Sequence, residues 1–405
     1  MTSDMPTNPV AALGLGVVGL GRAFMLTLPS ILADKRIRLV GAVDPRVEAR
    51  EEFAARFSAP AYETLSEMLN NSAVELVYVA SPHQLHKEHA LAALAAGRHV
   101  LIEKPVALSL DESRAIINAA DHNNRHVAVG PSHSFDPQIA MALEIIKSGK
   151  YGALRMIRAN YDTDFMYRPR RAEELTTKTG GGVIFSQAVH HIDIVRLLAG
   201  GKARRVTALT GNWDKARPSE GAYMALLEFE NGVIATLTYS GYAHFDGDES
   251  AGWMGELGQR KDPSAYGAAR RKLRTVKTPE EEAALKAMRG FGLGELPRDP
   301  DGNEHFGELM LSLDHADIRI GPEKIRIYGD EAVATLSVEP LAAGRRYVMD
   351  AIWQMVRENH LPVQNARWGH ATLEVCHAIL KSAQGGNWQP LQEQVAVPGY
   401  PIENK

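Results

Sequence analysis

Apolar and polar positions follow two different rhythms along this chain. Over residues 11–130, short continuous apolar runs alternate with stretches in which apolar residues recur every three or four positions. The continuous runs read as strands buried on both faces, and the periodic stretches as amphipathic helices. Strands are predicted at 11–18, 38–44, 60–62, 76–80, 99–102 and 126–130, with helices at 48–57, 65–69, 83–96 and about 109–123, and one more running to about residue 33. About six strands alternating with helices give an α/β Rossmann unit, a doubly wound parallel sheet.

Past residue 130 the rhythm changes. Helices are predicted at 135–148, 183–199, 345–358 and 368–383. Strands are predicted at 153–161, 203–210, 223–229, 233–242, 309–314, 317–320, 324–328 and 332–338. Strands paired in sequence, with helices at the beginning and end, predict an α+β domain with a large, mostly antiparallel open sheet. Residues 247–307 break the pattern: they are glycine-rich, charged and poor in long apolar runs. They read as an insertion over the active site or an arm gripping another subunit. The division is therefore 1–130 and 131–405. There is no internal repeat or low-complexity tract.

The chemistry collects where the predicted parallel strands end, as it must in such a sheet. Two glycine frames are possible, Gly14-x-Gly16-x-x-Gly19 and Gly19-x-Gly21-x-x-Phe24. The second places its glycines after the strand, where backbone approaches a pyrophosphate at a helix N-terminus. Its third position is phenylalanine, where a small residue is usual. Asp44 ends the second strand, where a carboxylate can accept hydrogen bonds from an adenosine ribose. That favours NAD, while Arg46 keeps NADP open. Residues 74–108 form one strand–helix–strand unit that points Ser81-Pro82-His83 and Glu103-Lys104-Pro105 at a common crevice. The first unit is thus an NAD(P)-binding domain.

Composition narrows the setting. The chain has 405 residues and a net charge of −4, so nothing in its charge suggests nucleic acid. Its one cysteine, Cys376, excludes an internal disulfide and fits a reducing cytoplasm. No apolar run approaches membrane-spanning length. Residues 1–9 lack the order of a signal peptide and are expected to be disordered.

The series Gly19-x-Gly21, Asp44, Ser81-Pro82-x-x-x-His86, Ala96-Gly97-x-His99-Val100-x-x-Glu103-Lys104-Pro105 resembles the glucose–fructose oxidoreductase, inositol dehydrogenase and MocA family (Gfo/Idh/MocA). The segment Gly181-Gly182 followed by His190 and Asp193 resembles its second signature. The resemblance covers nearly the whole chain. It implies an NAD(P)-dependent oxidoreductase whose second domain forms the substrate site and oligomer contacts. It also implies that Lys104 faces the nicotinamide and that His190 is a site residue. The family's usual aspartate, four residues before that histidine, is here Ser186, followed by Gln187. This departure puts the usual aspartate–histidine relay in doubt. Within the family, the run Phe185-Ser186-Gln187-Ala188-Val189-His190, residues 239–246 and the insertion resemble the phthalate cis-4,5-dihydrodiol (4,5-dihydroxyphthalate) dehydrogenases.

On this reading Gly19, Gly21, Arg22, Ala23 and Asp44 bind the cofactor together with Ser81, Pro82, His83, His86, Glu103 and Lys104. Lys104 takes the hydroxyl proton, its ammonium form disfavoured by burial, and His190 completes the relay. A dicarboxylate substrate calls for arginine forks, for which Arg168, Arg170 and Arg171 are the candidates, alongside Gln187 and His190. The histidines His83, His86 and His89 share a helix, and no metal is expected. The product of such a reaction is a catechol. The rivals are a sugar or cyclitol dehydrogenase of the same family and a non-catalytic nucleotide sensor. The partner expected is an anionic small molecule, with no nucleic acid, no membrane, and a homo-oligomer of two or four chains.

Overall fold

The structure, a computed structural model, describes residues 11–401 apart from 294, 297, 342 and 343. The N-terminal segment expected to be disordered lies outside the described residues. The first layer system runs β1 (Leu13–Val18), α1 (Arg22–Ala33), β2 (Ile37–Val43), α2 (Val47–Phe57), β3 (Ala61–Tyr62), α3 (Leu65–Leu69), β4 (Leu76–Val79), α4 (His86–Ala95), β5 (His99–Ile102), α5 (Leu110–His122) and β6 (Val127–Val129). Its six strands are parallel in the order β3-β2-β1-β4-β5-β6. The strand order reverses between β1 and β4, which opens a crevice beyond their carboxyl ends. Local chemistry sets the helix starts. Ser109 and Glu112 close a capping box at α5, as Thr64 and Glu67 do at α3.

The glycines of the two possible frames have different work. A Cβ at Gly14 would lie 1.8 Å from the Ala73 carbonyl oxygen, so glycine there lets β1 pack. Only the later pair stands at the turn.

The second system continues with α6 (Pro137–Lys147), β7 (Leu154–Asp162), α7 (Val189–Leu198), β8 (Ala203–Gly211), β9 (Ala222–Phe229) and β10 (Ile234–Ser240). The insertion contributes α8 (Ala268–Leu273) and α9 (Pro279–Ala287). The sheet resumes with β11 (Glu308–Leu313), β12 (Ala316–Ile320), β13 (Lys324–Gly329) and β14 (Val333–Ser337). Two helices, α10 (Arg346–Arg357) and α11 (Ala366–Gly385), and the short β15 (Gln389–Pro390) follow. The nine strands lie in the order β14-β13-β12-β11-β7-β10-β9-β8-β15, antiparallel except for β7 with β10. Leu209, Met224 and Ile234 stay exposed on its open face.

Two features of this arrangement bear on the site. Helix α10 follows the second sheet in sequence, yet its Val348, Met349, Ile352 and Met355 are buried in the same core as Leu13 and Leu15 of β1. The insertion is also tied to the first sheet. Phe291 is buried against Phe24 at 5.5 Å between ring centroids and against Phe57 at 5.8 Å. Its amide donates to the Leu20 carbonyl at 3.0 Å. Phe24, the bulky third position of the glycine motif, is therefore one wall of the socket that holds the insertion. Among the described residues no helix is long and apolar enough to cross a membrane.

Truncating a buried phenylalanine costs about 3–5 kcal/mol. Phe291→Ala is expected to reduce stability toward urea by about 3 kcal/mol and to speed amide exchange across 247–292. Exchange rates there that matched the wild type would show that other contacts hold the insertion down.

Candidate active site

The crevice holds two cavities whose linings share residues. The larger, about 1150 Å³, lies over the ends of β1, β2 and β4. Gly19 has φ +93°, and a Cβ there would meet the Ala80 carbonyl oxygen at 2.8 Å. A Cβ at Gly21 would meet nothing within 4 Å, which leaves open space at the N-terminus of α1. Gly21 is the N-cap residue and offers that helix end no side-chain cap. Free amides beside open space suit a pyrophosphate. Asp44, buried at the end of β2, accepts from the Leu20 amide at 2.8 Å. It also accepts from Arg46, through the amide at 3.0 Å and Nε at 2.9 Å. The Arg46 guanidinium donates further to the carbonyls of Leu20 and Phe291. Ala23, Ser81, Pro82 and His83 line the same cavity, while Lys286 and Gly290 of the insertion wall it. These residues fit a dinucleotide.

The smaller cavity, about 220 Å³, shares Arg22, Ala23, Ser81 and His83 with the larger and adds Glu103, Lys104, His133, His190, Glu256, Glu304 and Arg345. Lys104 donates from Nζ to the Ser186 carbonyl at 3.0 Å. That carbonyl lies in a widened π-type turn formed by residues Ile184–Ala188, where regular helix was expected. Such turns interrupt the regular hydrogen-bond ladder and recur at functional sites. The Ser186 hydroxyl is committed to the Gly182 carbonyl inside the turn. Burial disfavours the Lys104 ammonium, and its pKa is lowered even though Glu103 and Glu256 oppose the shift. Burial also holds His190 well below its usual value, aided by Lys104 and His133 nearby. The buried Nδ1 of His190 has no hydrogen-bond partner. The adjacent His191 instead meets the Tyr223 hydroxyl at 2.8 Å, deeper in the core.

The remaining sequence candidates lie as follows. Glu103 accepts from Tyr78 at 2.6 Å. His86 is fully buried and sets its two ring nitrogens against the Pro105 and Ser81 carbonyls at 2.9 and 3.0 Å. It braces the ends of β4 and β5 and lines neither cavity. Gln187 is buried beside the Tyr239 hydroxyl. The Arg168 guanidinium lies 3.3 Å from Glu256, Arg170 lies over the Phe165 ring, and Arg171 pairs with Glu173 at the edge of the larger cavity. None of the three is in the lining of the smaller cavity. The arginines that line it are Arg22 and Arg345. Arg345 is paired with Glu304 at 3.2 Å, whereas Arg22 makes no ion pair or hydrogen bond among the described residues. Burial, with Arg289 and Arg168 close by, lowers Arg22 to about 10.

Sequence reasoning had not singled out His133, Glu256, Glu304 or Arg345. His133 and Asp136 stand in a short irregular segment after β6, with Nδ1 and a carboxylate oxygen 2.8 Å apart. Each of His133, Asp136 and Glu304 brings one potential ligand atom to within 4.8 Å of the others. The first two are bonded to each other and the third to Arg345.

Comparison with known proteins agrees with this geometry. Residues 13–131 match the model of an oxidoreductase family with an NAD-binding Rossmann fold, and residues 139–259 match the GFO/IDH/MocA C-terminal domain. The chain is 42% identical over 375 residues to 1-carboxy-3-chloro-3,4-dihydroxycyclohexa-1,5-diene dehydrogenase of Comamonas testosteroni, covering 91% of this chain and 94% of that one. It superposes with TM-score 0.87 and 37% identity on a Bordetella bronchiseptica RB50 protein assigned as a dehydrogenase, covering 94% of this chain and all of the other. The WlbA dehydrogenase of Bordetella pertussis, solved with NADH and UDP-GlcNAcA, shares the fold at TM-score 0.68 and 20% identity, covering 94% and 99%.

Asp44 occupies Arg46 and would repel a phosphate carried by a ribose bound beside it. Replacing it removes both effects. Asp44→Ala is expected to raise the NADP-to-NAD ratio of kcat/KM by about tenfold or more, the equivalent of about 1.4 kcal/mol. An unchanged ratio in initial-rate assays would mean that this carboxylate does not set cofactor choice.

Proposed function

Because the chain belongs to the Gfo/Idh/MocA family of NAD-binding oxidoreductases, we propose that it oxidises a ring-carboxylated cis-dihydrodiol, phthalate cis-4,5-dihydrodiol or a near relative, to the catechol. One observation carries this reading: a small cavity lined by Lys104, His190 and an arginine without an ion pair among the described residues shares Arg22, Ala23, Ser81 and His83 with the dinucleotide cavity. The Comamonas testosteroni relative supports the substrate class, since its name describes a carboxylated dihydroxycyclohexadiene.

NAD, when bound, supplies the hydride acceptor. The protein must position the carbinol and remove its hydroxyl proton. Lys104 is placed for both. The Ser186 carbonyl fixes its Nζ, and burial favours the neutral amine that can take a proton. His190 stands in the same lining. The hydroxyketone formed tautomerises to an aromatic ring, which draws the reaction forward. The substrate carboxylate goes to Arg22, the one arginine of the lining without an anionic partner. The exposed Leu209, Met224 and Ile234 on the open sheet face belong, on the same reading, to a homo-oligomer contact. Sedimentation at micromolar concentration should then give two or four chains, and a monomer would remove that element.

The decisive assay follows NADH absorbance with phthalate cis-4,5-dihydrodiol beside inositol and glucose. Turnover confined to the dihydrodiol is expected. Turnover confined to the polyols would replace this reading with that of a cyclitol or sugar dehydrogenase. With the dihydrodiol, Lys104→Met should lower kcat/KM by about 10²-fold or more. Arg22→Gln should raise KM for the dihydrodiol by about tenfold.

A further inference from the structure

The sequence leaves a gap in the proton path: the family's aspartate is Ser186 here. The structure shows that serine cannot fill the role, because its hydroxyl is turned into the Gly182 carbonyl. His190 can pass a proton on but is no place to keep one, since burial first, and Lys104 and His133 beside it, hold its pKa well below the usual value. A third group in the same lining has what these two lack.

We propose that His133, oriented by Asp136, is the terminal proton acceptor of the reaction, replacing from a different segment the carboxylate missing at position 186. The inference rests on the reading of the site as a carbinol dehydrogenase. Its ground is geometric. His133 lines the substrate cavity with Lys104 and His190, and its ring centroid lies 4.8 Å from that of His190. Nδ1 meets the Asp136 carboxylate at 2.8 Å, which assigns the Nδ1 proton to that contact and leaves Nε2 as the acceptor. Both residues are nearly fully buried. A carboxylate behind an imidazole fixes its orientation and stabilises the imidazolium that forms.

The step balances. The carbinol C–H bond breaks and its electron pair passes to the nicotinamide ring of NAD. The O–H bond breaks, and its electron pair becomes the second bond of the new carbonyl. The proton passes to the neutral Lys104 amine and on through His190 to Nε2 of His133. The resulting imidazolium faces the Asp136 carboxylate and later releases its proton to solvent.

The groups around His133 are Asp136 on its own segment, Glu304 and His305 before β11, Glu256 from the insertion, and His190 and His191 from α7. Burial opposes protonation of His133, but Asp136 and then the two glutamates outweigh it, and the net shift is upward. Burial raises Asp136 to about 6. The acceptor must begin neutral, so kcat/KM should fall as pH drops through the raised His133 value. Asp136→Asn removes the anion behind the ring, lowers that value, and should move the acid limb to lower pH.

His133→Ala is expected to reduce kcat by about 10²–10³-fold, with NAD affinity by fluorescence titration within about twofold of wild type. Added imidazole should restore part of the rate. Asp136→Asn should shift the acid limb downward, and imidazole NMR of the protein without cofactor should show the His133 titration move in the same direction. This NMR readout does not depend on the substrate. A wild type inactive on every carboxylated dihydrodiol would therefore sink the substrate reading, with the dyad still tested. Activity of His133→Ala within about threefold of wild type, or an unshifted NMR titration in Asp136→Asn, would overturn the proposal. So would loss of activity to a chelator with recovery on adding zinc, because the trio with Glu304 would then be a metal site.

Discussion

A lysine withdrawn from water must find an acceptor, and the acceptor found by Lys104 belongs to the other sheet system. The 3.0 Å contact from its Nζ to the Ser186 carbonyl joins the end of β5 to the widened turn before α7. Everything else in the smaller cavity is arranged around that link. It sets the height of the amine above the crevice and, through the same burial, lowers the affinity of the amine for a proton.

The half-buried charges around this link come in opposed sets. Arg345 faces Glu304, Arg168 faces Glu256, and Lys286 faces Glu174. Each pair joins segments far apart in sequence, so removing one partner would strand a charge and loosen two elements at once. Among the described residues Arg22 stands outside this pairing.

Much of this was legible in the sequence because it is written locally. The buried strands of the first sheet read as continuous apolar runs, the glycines follow β1 directly, and Asp44 and Lys104 sit at strand ends. What was not legible comes from segments without periodicity. Glu256 and Phe291 lie in the insertion, His133 in a short irregular turn, and Arg345 just before a helix whose apolar face gives no sign of which core it serves. The arginine run near the glycine triplet illustrates the limit. Composition showed that Arg168, Arg170 and Arg171 could grip carboxylates, but only the fold shows Glu256, Phe165 and Glu173 meeting them first.

The return of α10 to the first core also governs how this chain can be made. Residues 13–129 contain all six strands of the parallel sheet, so they are complete early in translation. The apolar surface that Val348, Ile352 and Met355 cover stays bare until the ribosome has delivered more than two hundred further residues. The amino-terminal unit therefore emerges as an unfinished body. It must wait, exposed or chaperoned, for a carboxyl-terminal helix to seal it, which makes late truncation as damaging to the first sheet as to the second.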